Sequence, residues 1–309
     1  MTAAVHAPDR PSLAGIWWQA IRPATLTAAF GPVAVGTALA HHDGRLAPLS
    51  ALAALLGAVF IQIGTNLYND YADFEKGADT DARVGPARAV QKGWLTSGQV
   101  LVGTVVSFLL AAAFGLYLVL TAGWPILVLG LVSIACGVLY TGGPAPLAYV
   151  GLGDLFVMAF FGVAAVCGTY FVQAGNISPE AWLTSLAVGS HATAILVVNN
   201  LRDRHTDREA GKRTLVVRFG ERFGRGEYAL TVVAPYLLVL GLFVRDGATL
   251  ASAGWLAPIV TLPLAIGGLR RVMKRDGHDL NPELGATGRL GLLFCLALAI
   301  GVSLLGGPA

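Results

Sequence analysis

ALAALLGAVFIQIGTNLYNDYADFEKGADTD, residues 51–81, runs from an apolar stretch directly into a cluster of carboxylates and asparagines. The apolar part belongs to a segment, 48–68, that is long enough to cross a membrane, because a transmembrane helix needs about 20 predominantly apolar residues. The 309-residue chain is 55% hydrophobic and only 13% charged, whereas soluble domains carry about 25% charged residues. The composition therefore predicts a polytopic membrane protein and disfavours a soluble enzyme with an apolar core.

The fold expected from this pattern is an all-α bundle of nine transmembrane helices. The predicted spans are 23–40, 48–68, 99–122, 124–140, 149–174, 180–198, 228–244, 248–268 and 289–306. If the N-terminus lies inside, only Arg45 and Arg245 of the 21 Lys and Arg residues fall outside. Inner loops of membrane proteins carry such an excess of basic residues. We therefore expect a multi-pass protein of the cell (plasma) membrane, with a cytoplasmic N-terminus and cytoplasmic loops 69–98, 199–227 and 269–288.

Residues 1–309 are expected to form a single integral-membrane domain. The first 21 residues contain no apolar run of the kind that a signal peptide needs, so we expect a short N-terminal tail over 1–21. The three cysteines lie within apolar runs and form no metal-binding pair. Two pseudo-repeat halves, about 22–145 and 149–288, are a hypothesis that rests on the motifs described next.

Two polar motifs close the second and the sixth predicted spans. Each is an NxxxD followed by a further Asp, and they consist of Asn66, Asp70 and Asp73, and of Asn199, Asp203 and Asp207. On a helix these spacings place the side chains on one face. The offset is 133 residues, both from Asn66 to Asn199 and from Asp70 to Asp203. Because both spans end on the same side, we expect the motifs to face each other as parts of two parallel repeats.

The residue types in the motifs indicate a magnesium–diphosphate site. Facing carboxylates repel unless cations lie between them, and oxygen ligands without Cys or His suit Mg²⁺, which prefers one or two carboxylates together with substrate phosphates. Basic residues flank both motifs and suit the remaining phosphate oxygens. The chain has no GxxxxGK[ST] phosphate loop. A diphosphate at the bilayer edge favours an isoprenyl diphosphate whose tail lies in the membrane.

Each part of this pattern has a structural alternative. Asp and Asn near helix ends are often caps or solvated loop residues, and basic loops often do no more than set membrane topology. A single NxxxD is weak evidence for a site. Two such motifs at equivalent span ends, each followed by a basic stretch, favour the functional interpretation.

The same residues resemble the UbiA-type intramembrane aromatic prenyltransferases. The superfamily signatures are NLYNDYAD (66–73) and NNLRDRHTD (199–207), and RVGPAR (83–88), GPAPLAYVGLGD (143–154) and TDREAGKRTL (206–215) favour the menaquinone-pathway members. The resemblance implies nine transmembrane helices around a central cavity, capped by cytoplasmic Asp-rich loops. It also implies Mg²⁺-dependent transfer of a polyprenyl chain from polyprenyl diphosphate to 1,4-dihydroxy-2-naphthoate, with loss of CO₂ and diphosphate, to give demethylmenaquinone.

Residue roles follow from the motifs and this resemblance together. The expected magnesium ligands are Asn66, Asp70, Asp73, Asn199, Asp203 and Asp207. The four aspartates among them are also expected to be catalytic. The expected diphosphate contacts are Lys76, Arg83, Arg88, Lys212 and Arg202. The candidates for the aromatic acceptor, each with a structural alternative, are Gln62, Asn66, Arg22 and Asp154. Tyr140 is expected either to stabilise the allylic cation with its ring or to belong to the interfacial aromatic belt. His191 is expected to be a polar residue between helices.

Several points stay open at the level of sequence. Relatives that use 4-hydroxybenzoate carry an Asp where this chain has Gly77, which leaves the roles of Asp79 and Asp81 open. Competing functions are transfer to homogentisate, 4-hydroxybenzoate or a chlorin, transport of an anionic lipid or metabolite, and CDP-alcohol phosphotransfer. Transport is disfavoured because the charges cluster at span ends rather than deep within spans, and the phosphotransferase motif is absent. The expected partners are the two substrates and the lipid bilayer, with no nucleic acid.

Overall fold

The regular elements that the structure describes are helical. The computed structural model describes residues 11–77 and 88–305, and the helices there are α1 (Leu13–Ala20), α2 (Pro23–His42), α3 (Pro48–Glu75), α4 (Ser97–Ala122), α5 (Trp124–Thr141), α6 (Gly153–Val157), α7 (Ala165–Ala174), α8 (Pro179–Glu209), α9 (Leu215–Phe219), α10 (Glu221–Arg245), α11 (Leu262–Val272) and α12 (Asn281–Leu305). A π-helical segment, Met158–Ala164, joins α6 to α7, and 3₁₀ segments, Ala251–Thr261 and Gly277–Leu280, precede α11 and α12. The predicted break at 122–124 is confirmed, since α4 ends at Ala122 and α5 begins at Trp124.

Eight helices within the described ranges are long and apolar enough to cross a membrane. The first predicted span, 23–40, corresponds to α2. It passes the same test only when Leu13–Ala20 and Thr25–His42 are taken together as one span that is bent by 59°. The all-helical membrane fold is therefore confirmed, whereas the count of nine spans remains a prediction.

The helices that carry the two polar motifs are longer than the spans predicted from hydropathy. The second span was predicted to end at 68 and the sixth at 198, but α3 continues to Glu75 and α8 to Glu209. At 1.5 Å per residue, the extension of α8 is about 16 Å long. Hydropathy marks where the apolar residues stop, whereas the helix stops where its backbone hydrogen bonds stop. Each motif therefore lies on the final turns of a long, regular helix.

A glycine in the left-handed conformation follows each of these two helices. The φ angle is +67° at Gly77 and +73° at Gly211. Side chains rarely adopt this conformation, whereas glycine does so without strain, and it is the usual way to end a helix. The two motif helices thus end by the same device.

The protein core surrounds α8, which packs against α2, α10, α12 and the π-helical segment. His191 of α8 is 1% exposed and lies between two aromatic rings, with ring-centroid distances of 4.6 Å to Phe294 and 6.3 Å to Tyr236. Neither of its ring nitrogens makes a hydrogen bond to a described residue. His191 therefore lies between helices, as expected from the sequence, and packs there against aromatic rings.

A second group of helices, α3, α4 and α5, packs beside this core. The outward faces of α4 and α5 are apolar and exposed, with Leu120 at 78% and Trp124 at 74%. Exposed apolar surface of this extent is typical of helices that face lipid. Because α3 contacts α2 and α7 as well as α4 and α5, the two groups enclose a space between them.

Candidate active site

A cavity of about 880 Å³ lies between the two groups of helices. Its body is apolar and is lined by residues such as Ile61, Leu118, Ile126, Phe160 and Val172. Its other end is lined by polar side chains, which include Arg22, Gln62, Asn66, Asn69, Asp73, Arg88, Tyr140, Tyr149, Asp154, Asn199, Asn200, Asp203, Asp207 and Lys212. The cavity therefore combines a long apolar chamber with one charged end, where the final turns of α3 and α8 meet.

The side chains that line the cavity from α3 and α8 repeat with an offset of 134 residues rather than 133. The matching pairs are Gln62 and Leu196, Thr65 and Asn199, Asn66 and Asn200, Asn69 and Asp203, and Asp73 and Asp207. The two terminal glycines, Gly77 and Gly211, share this offset. The sequence spacing NxxxD thus identified the correct helices but placed the repeat one residue out of register.

This register moves Asp70 off the cavity wall. Its side chain is 1% exposed, and its Oδ2 accepts a hydrogen bond from the Ala89 backbone N–H at 3.1 Å. Asn69 takes the cavity position instead, with its Oδ1 accepting a 2.5 Å hydrogen bond from Thr141 Oγ1 at the end of α5. Asp70 therefore holds the backbone at Ala89, in the segment that precedes α4, whereas Asn69 and Asp73 face the cavity.

The first motif is held by a buried ion pair. Arg88 Nη2 lies 2.7 Å from Asp73 Oδ2, and the two side chains are 8% and 5% exposed. Arg88 Nη1 also donates to the Asn69 carbonyl at 2.6 Å. Arg88, which was predicted to contact diphosphate, and Asp73, which was predicted to bind Mg²⁺, thus neutralise each other in this structure.

The second motif is neutralised in a similar way by neighbouring cations. Arg202 donates from Nε and Nη2 to both carboxylate oxygens of Asp203, at 2.7 and 2.6 Å, and from Nη2 to Asn199 Oδ1 at 2.8 Å. Lys212 Nζ lies 3.5 Å from Asp207 Oδ1. Arg202 is 3% exposed and lies behind the cavity wall, whereas Lys212 is on it. Both aspartates of this motif therefore have a basic partner that is close to them in the sequence.

The loop between α5 and α6 connects the two motifs through Tyr149, a residue that the sequence interpretation missed. Tyr149 Oη donates to Asp73 Oδ1 at 3.3 Å, and its carbonyl accepts from the Arg213 backbone N–H at 2.9 Å. Lys76 Nζ donates to two carbonyl groups that flank this loop, those of Thr141 at 2.6 Å and Gly143 at 3.3 Å. Lys76 thus secures the loop and does not itself line the cavity.

Three of the four acceptor candidates lie together at the junction of α2 and α3. Asn66 Nδ2 donates to the Ile21 carbonyl at 3.0 Å and to Thr25 Oγ1 at 2.8 Å. Gln62 Nε2 donates to Thr25 Oγ1 at 3.3 Å and to Asn66 Oδ1 at 3.4 Å. Arg22 precedes α2 with a φ of +53°. These polar groups form one wall of the cavity and also join the two helices.

The fourth acceptor candidate, Asp154, lies on the α6 side together with Tyr140. Asp154 is 6% exposed, and its Oδ1 makes no hydrogen bond to a described residue. Tyr140 is close by, because a Cβ added at Gly153 would come within 3.1 Å of the Tyr140 hydroxyl. A buried carboxylate oxygen without a partner carries a large desolvation penalty. Both residues line the cavity, but Oδ1 itself is shielded from it.

Comparisons with known proteins agree with this arrangement. Residues 29–282 match the model of the UbiA prenyltransferase family. The chain belongs to the UbiA prenyltransferase family. It is 40% identical to the 1,4-dihydroxy-2-naphthoate octaprenyltransferase of Escherichia coli K12, over 93% of this chain and 95% of that protein. It is 37% identical to the enzyme of the same name from Mycobacterium leprae, over 94% and 97% of the two chains.

The fold agrees as well. The structure of a UbiA homolog from Archaeoglobus fulgidus bound to DMAPP and Mg²⁺ superposes with a TM-score of 0.67, covering 94% of this chain and 99% of that one at 15% identity. At this identity the likeness establishes the fold alone. The predicted family and its helical architecture are thus confirmed.

As a UbiA family member the chain is expected to use a divalent metal, and its donor set fits Mg²⁺. Within the described ranges, no three His, Cys, Asp or Glu side chains are placed to hold a metal by themselves. The cavity nevertheless presents hard oxygen donors from Asp73, Asp203, Asp207, Asn69 and Asn199. Mg²⁺ usually takes only one or two carboxylates and completes its shell with water and substrate phosphates. An incomplete protein shell with oxygen donors is what such a metal–substrate site requires.

The departure at Gly77 has a conformational explanation. Relatives with the longer Asp motif continue the first motif with a carboxylate at this position, but here α3 ends at Glu75 and Gly77 is left-handed. In this chain, position 77 therefore lies beyond the end of α3 and supplies no side-chain ligand. Arg83, which was predicted to contact diphosphate, and the unassigned acids Asp79 and Asp81 lie outside the described residues.

Proposed function

We propose that the protein transfers a polyprenyl chain from polyprenyl diphosphate to 1,4-dihydroxy-2-naphthoate, with release of diphosphate and CO₂. The observation that carries this proposal is the cavity itself. Most of it is apolar, and one end is lined by acidic and basic side chains near the ends of α3 and α8. The names of the bacterial relatives support this acceptor. The immediate product would be the hydroquinone, a demethylmenaquinol, which a separate two-electron oxidation converts to demethylmenaquinone.

The paired charges explain how the site accepts a metal–diphosphate. Asp73 and Asp203 are neutralised by Arg88 and Arg202, and Asp207 by Lys212. With Mg²⁺ and diphosphate bound, Asp73 and Asp207 would hold the cation, while Arg88 and Lys212, which line the cavity, would face the anionic oxygens. Lys212 is the strongest candidate for a direct phosphate contact, because it lines the cavity and its side chain is more exposed than that of Arg88, 21% against 8%. A bound Mg²⁺ would supply charge neutralisation to the departing diphosphate.

The residues on the α6 side would orient the aromatic acceptor. The bond between the allylic carbon and the diphosphate oxygen breaks with its electron pair going to diphosphate, and a ring carbon forms the new carbon–carbon bond. The carboxylate leaves as CO₂ and returns its bonding pair to the ring, so no net proton has to be removed. We assign the Asp154 carboxylate to accept a hydrogen bond from a ring hydroxyl, which would raise the electron density of the ring. Tyr140 lies where its ring can stabilise developing positive charge.

The side of the membrane follows from the basic residues. The ends of α3 and α8 lie on the side that carries most of the Lys and Arg residues, whereas Arg45 and Arg245 lie at the opposite helix ends. By the positive-inside rule the site faces the cytoplasm. This orientation suits a reaction whose acceptor is a water-soluble aromatic acid and whose donor and product are lipids.

An assay of the full chain in lipid nanodiscs tests the proposal. Octaprenyl diphosphate would be offered with 1,4-dihydroxy-2-naphthoate, 4-hydroxybenzoate or homogentisate, in Mg²⁺ or in EDTA. We expect transfer to the naphthoate alone, with CO₂ loss visible in the product mass, and no transfer in EDTA. Preferred transfer to either benzene-ring acceptor, or no transfer to any acceptor, would overturn the proposal, and transfer in EDTA would overturn the role of the metal.

A further inference from the structure

The ring of Tyr149 lies close to two ammonium groups, each from a lysine that follows one of the two motifs. Lys212 Nζ, which follows the second motif, is 5.1 Å from the ring centroid, and Lys76 Nζ, which follows the first, is 5.4 Å from it. Both distances fall within the range of favourable cation–π contacts. Tyr149 therefore contacts both cations through one ring.

The polar atoms of Tyr149 also contact both motifs. Its hydroxyl donates to Asp73 at 3.3 Å, on the carboxylate oxygen that Arg88 does not use. Its carbonyl accepts the Arg213 backbone N–H, beside Lys212. The hydroxyl is the donor in this contact, because an ionised carboxylate can only accept. One residue thus links an acid of the first motif to the basic segment that follows the second.

The two lysines are not equivalent in this arrangement. Lys76 is occupied by the Thr141 and Gly143 carbonyls and is not on the cavity wall, whereas Lys212 lines the cavity and lies 3.5 Å from Asp207. The Lys76 contacts fix the loop, and the loop in turn places the Tyr149 ring against Lys212. The geometry explains how a residue outside both Asp motifs controls where the cavity-facing cation lies.

We propose that Tyr149 is a positioning residue that orients Asp73 through its hydroxyl and Lys212 through its ring, and so sets the affinity of the site for Mg²⁺ and for diphosphate. The inference rests on the proposed diphosphate site but is independent of the aromatic acceptor. The hydroxyl and the ring of Tyr149 have separate roles in this proposal, and different substitutions remove them.

Two variants separate the two parts. Tyr149→Phe keeps the ring and removes only the donor to Asp73, and loss of a hydrogen bond that orients a metal-binding side chain lowers metal affinity by about 10-fold or more. We expect a rise of that size in the Mg²⁺ concentration for half-saturation, with pyrophosphate affinity at saturating Mg²⁺ changed less than about twofold. Tyr149→Leu also removes the ring, and we expect a further loss of about fivefold in pyrophosphate affinity.

The measurement is calorimetric titration of inorganic pyrophosphate into the full chain in nanodiscs at several Mg²⁺ concentrations. Tyr117 of α4, an exposed tyrosine at 36%, provides the matched control through Tyr117→Phe and Tyr117→Leu, which should bind as the wild type does. Thermal unfolding of each variant reports its folded fraction. A purely structural role would lower the unfolding temperature and leave binding by the folded fraction unchanged.

The outcomes separate this inference from the proposed function. A Mg²⁺ effect in Tyr149→Phe and an added pyrophosphate effect in Tyr149→Leu support it. Wild-type binding by folded Tyr149→Leu overturns it, as does a Tyr149→Phe variant that loses pyrophosphate affinity as fully as Tyr149→Leu. If the wild type binds Mg²⁺ and pyrophosphate but prenylates no aromatic acceptor, the proposed acceptor fails while the role of Tyr149 stands.

Discussion

The buried pair of Arg88 and Asp73 makes a quantitative prediction for stability. The two groups are 2.7 Å apart and 8% and 5% exposed, so removing one charge breaks the ion pair while the other group stays buried. Breaking a buried pair in this way costs about 3 to 5 kcal/mol, whereas replacing both partners by neutral groups is often close to neutral. Asp73→Asn and Arg88→Met should therefore each lower the free energy of unfolding by about 3 kcal/mol.

The double variant Asp73→Asn/Arg88→Met decides the point. It loses the ion pair and the 2.6 Å hydrogen bond from Arg88 to the Asn69 carbonyl, which is worth about 1 to 2 kcal/mol. We expect it to lie within about 2 kcal/mol of the wild type, and so to be more stable than either single variant. Unfolding by SDS in mixed micelles, followed by tryptophan fluorescence, gives the four free energies.

An exposed ion pair provides the control for this cycle. Arg245 and Asp246 are 2.9 Å apart but 40% and 31% exposed, and their cycle should give a coupling below about 1 kcal/mol. If the losses of Asp73→Asn and Arg88→Met simply add in the double variant, the two groups are not paired as the structure has them. The conclusion that Arg88 neutralises Asp73 in the cavity would then be wrong.

Three further predictions concern the second motif, the end of α3 and a surface ion pair. Asp207→Asn keeps the shape of the side chain but removes a cavity-facing charge, and we expect prenyl transfer to fall by at least about 100-fold, an estimate of the loss when a metal-bound group is removed, while thermal unfolding stays within a few degrees; normal turnover would refute it. Gly77→Ala should lower the free energy of unfolding by about 1 kcal/mol because φ is +67° there, and an unchanged SDS midpoint would contradict that conformation. The hydrogen bond from Arg204 lowers the pKa of Asp276 to about 2, so its stabilising effect is complete above the unfolded pKa of about 3.9 and is lost as the pH falls through about 2. Asp276→Asn should thus reduce stability at pH 7 by less than about 1 kcal/mol, since the carboxylate is half-exposed, and the difference from the wild type should shrink as the pH falls from about 4 through about 2; a difference that stays constant over this range would show another cause.

The sequence predicted the class of fold and the two helices of the site because both depend on local pattern. Runs of apolar residues mark the spans, and acids at the ends of two spans on the same side must come together in a bundle. The one-residue error in register has a geometric cause. A helix turns by about 100° per residue, so Asp70 and Asn69 point to different sides, and only the packing of α3 against α2, α4 and α5 decides which side faces the cavity.

Other features required the folded chain. Tyr149 lies in a loop without charged residues, and its contacts to Asp73, Lys76 and Lys212 join segments that are far apart in the sequence. A lysine beside an acidic motif likewise gives no sign in the sequence that backbone carbonyl groups will accept its hydrogen bonds, as those of Thr141 and Gly143 do from Lys76. Arg88 lines the cavity and pairs there with Asp73, and its contact with diphosphate remains a prediction.

The central claim is that the ends of α3 and α8 form one Mg²⁺–diphosphate site. Mg²⁺-dependent binding of geranyl diphosphate to Asp73→Asn and to Asp207→Asn, each in the full chain in nanodiscs, tests it most directly. We expect each single variant to lose binding by at least about 10-fold relative to the wild type, because each helix supplies part of one shared site. Binding of geranyl diphosphate with wild-type affinity and wild-type Mg²⁺ dependence by either folded variant would contradict the claim.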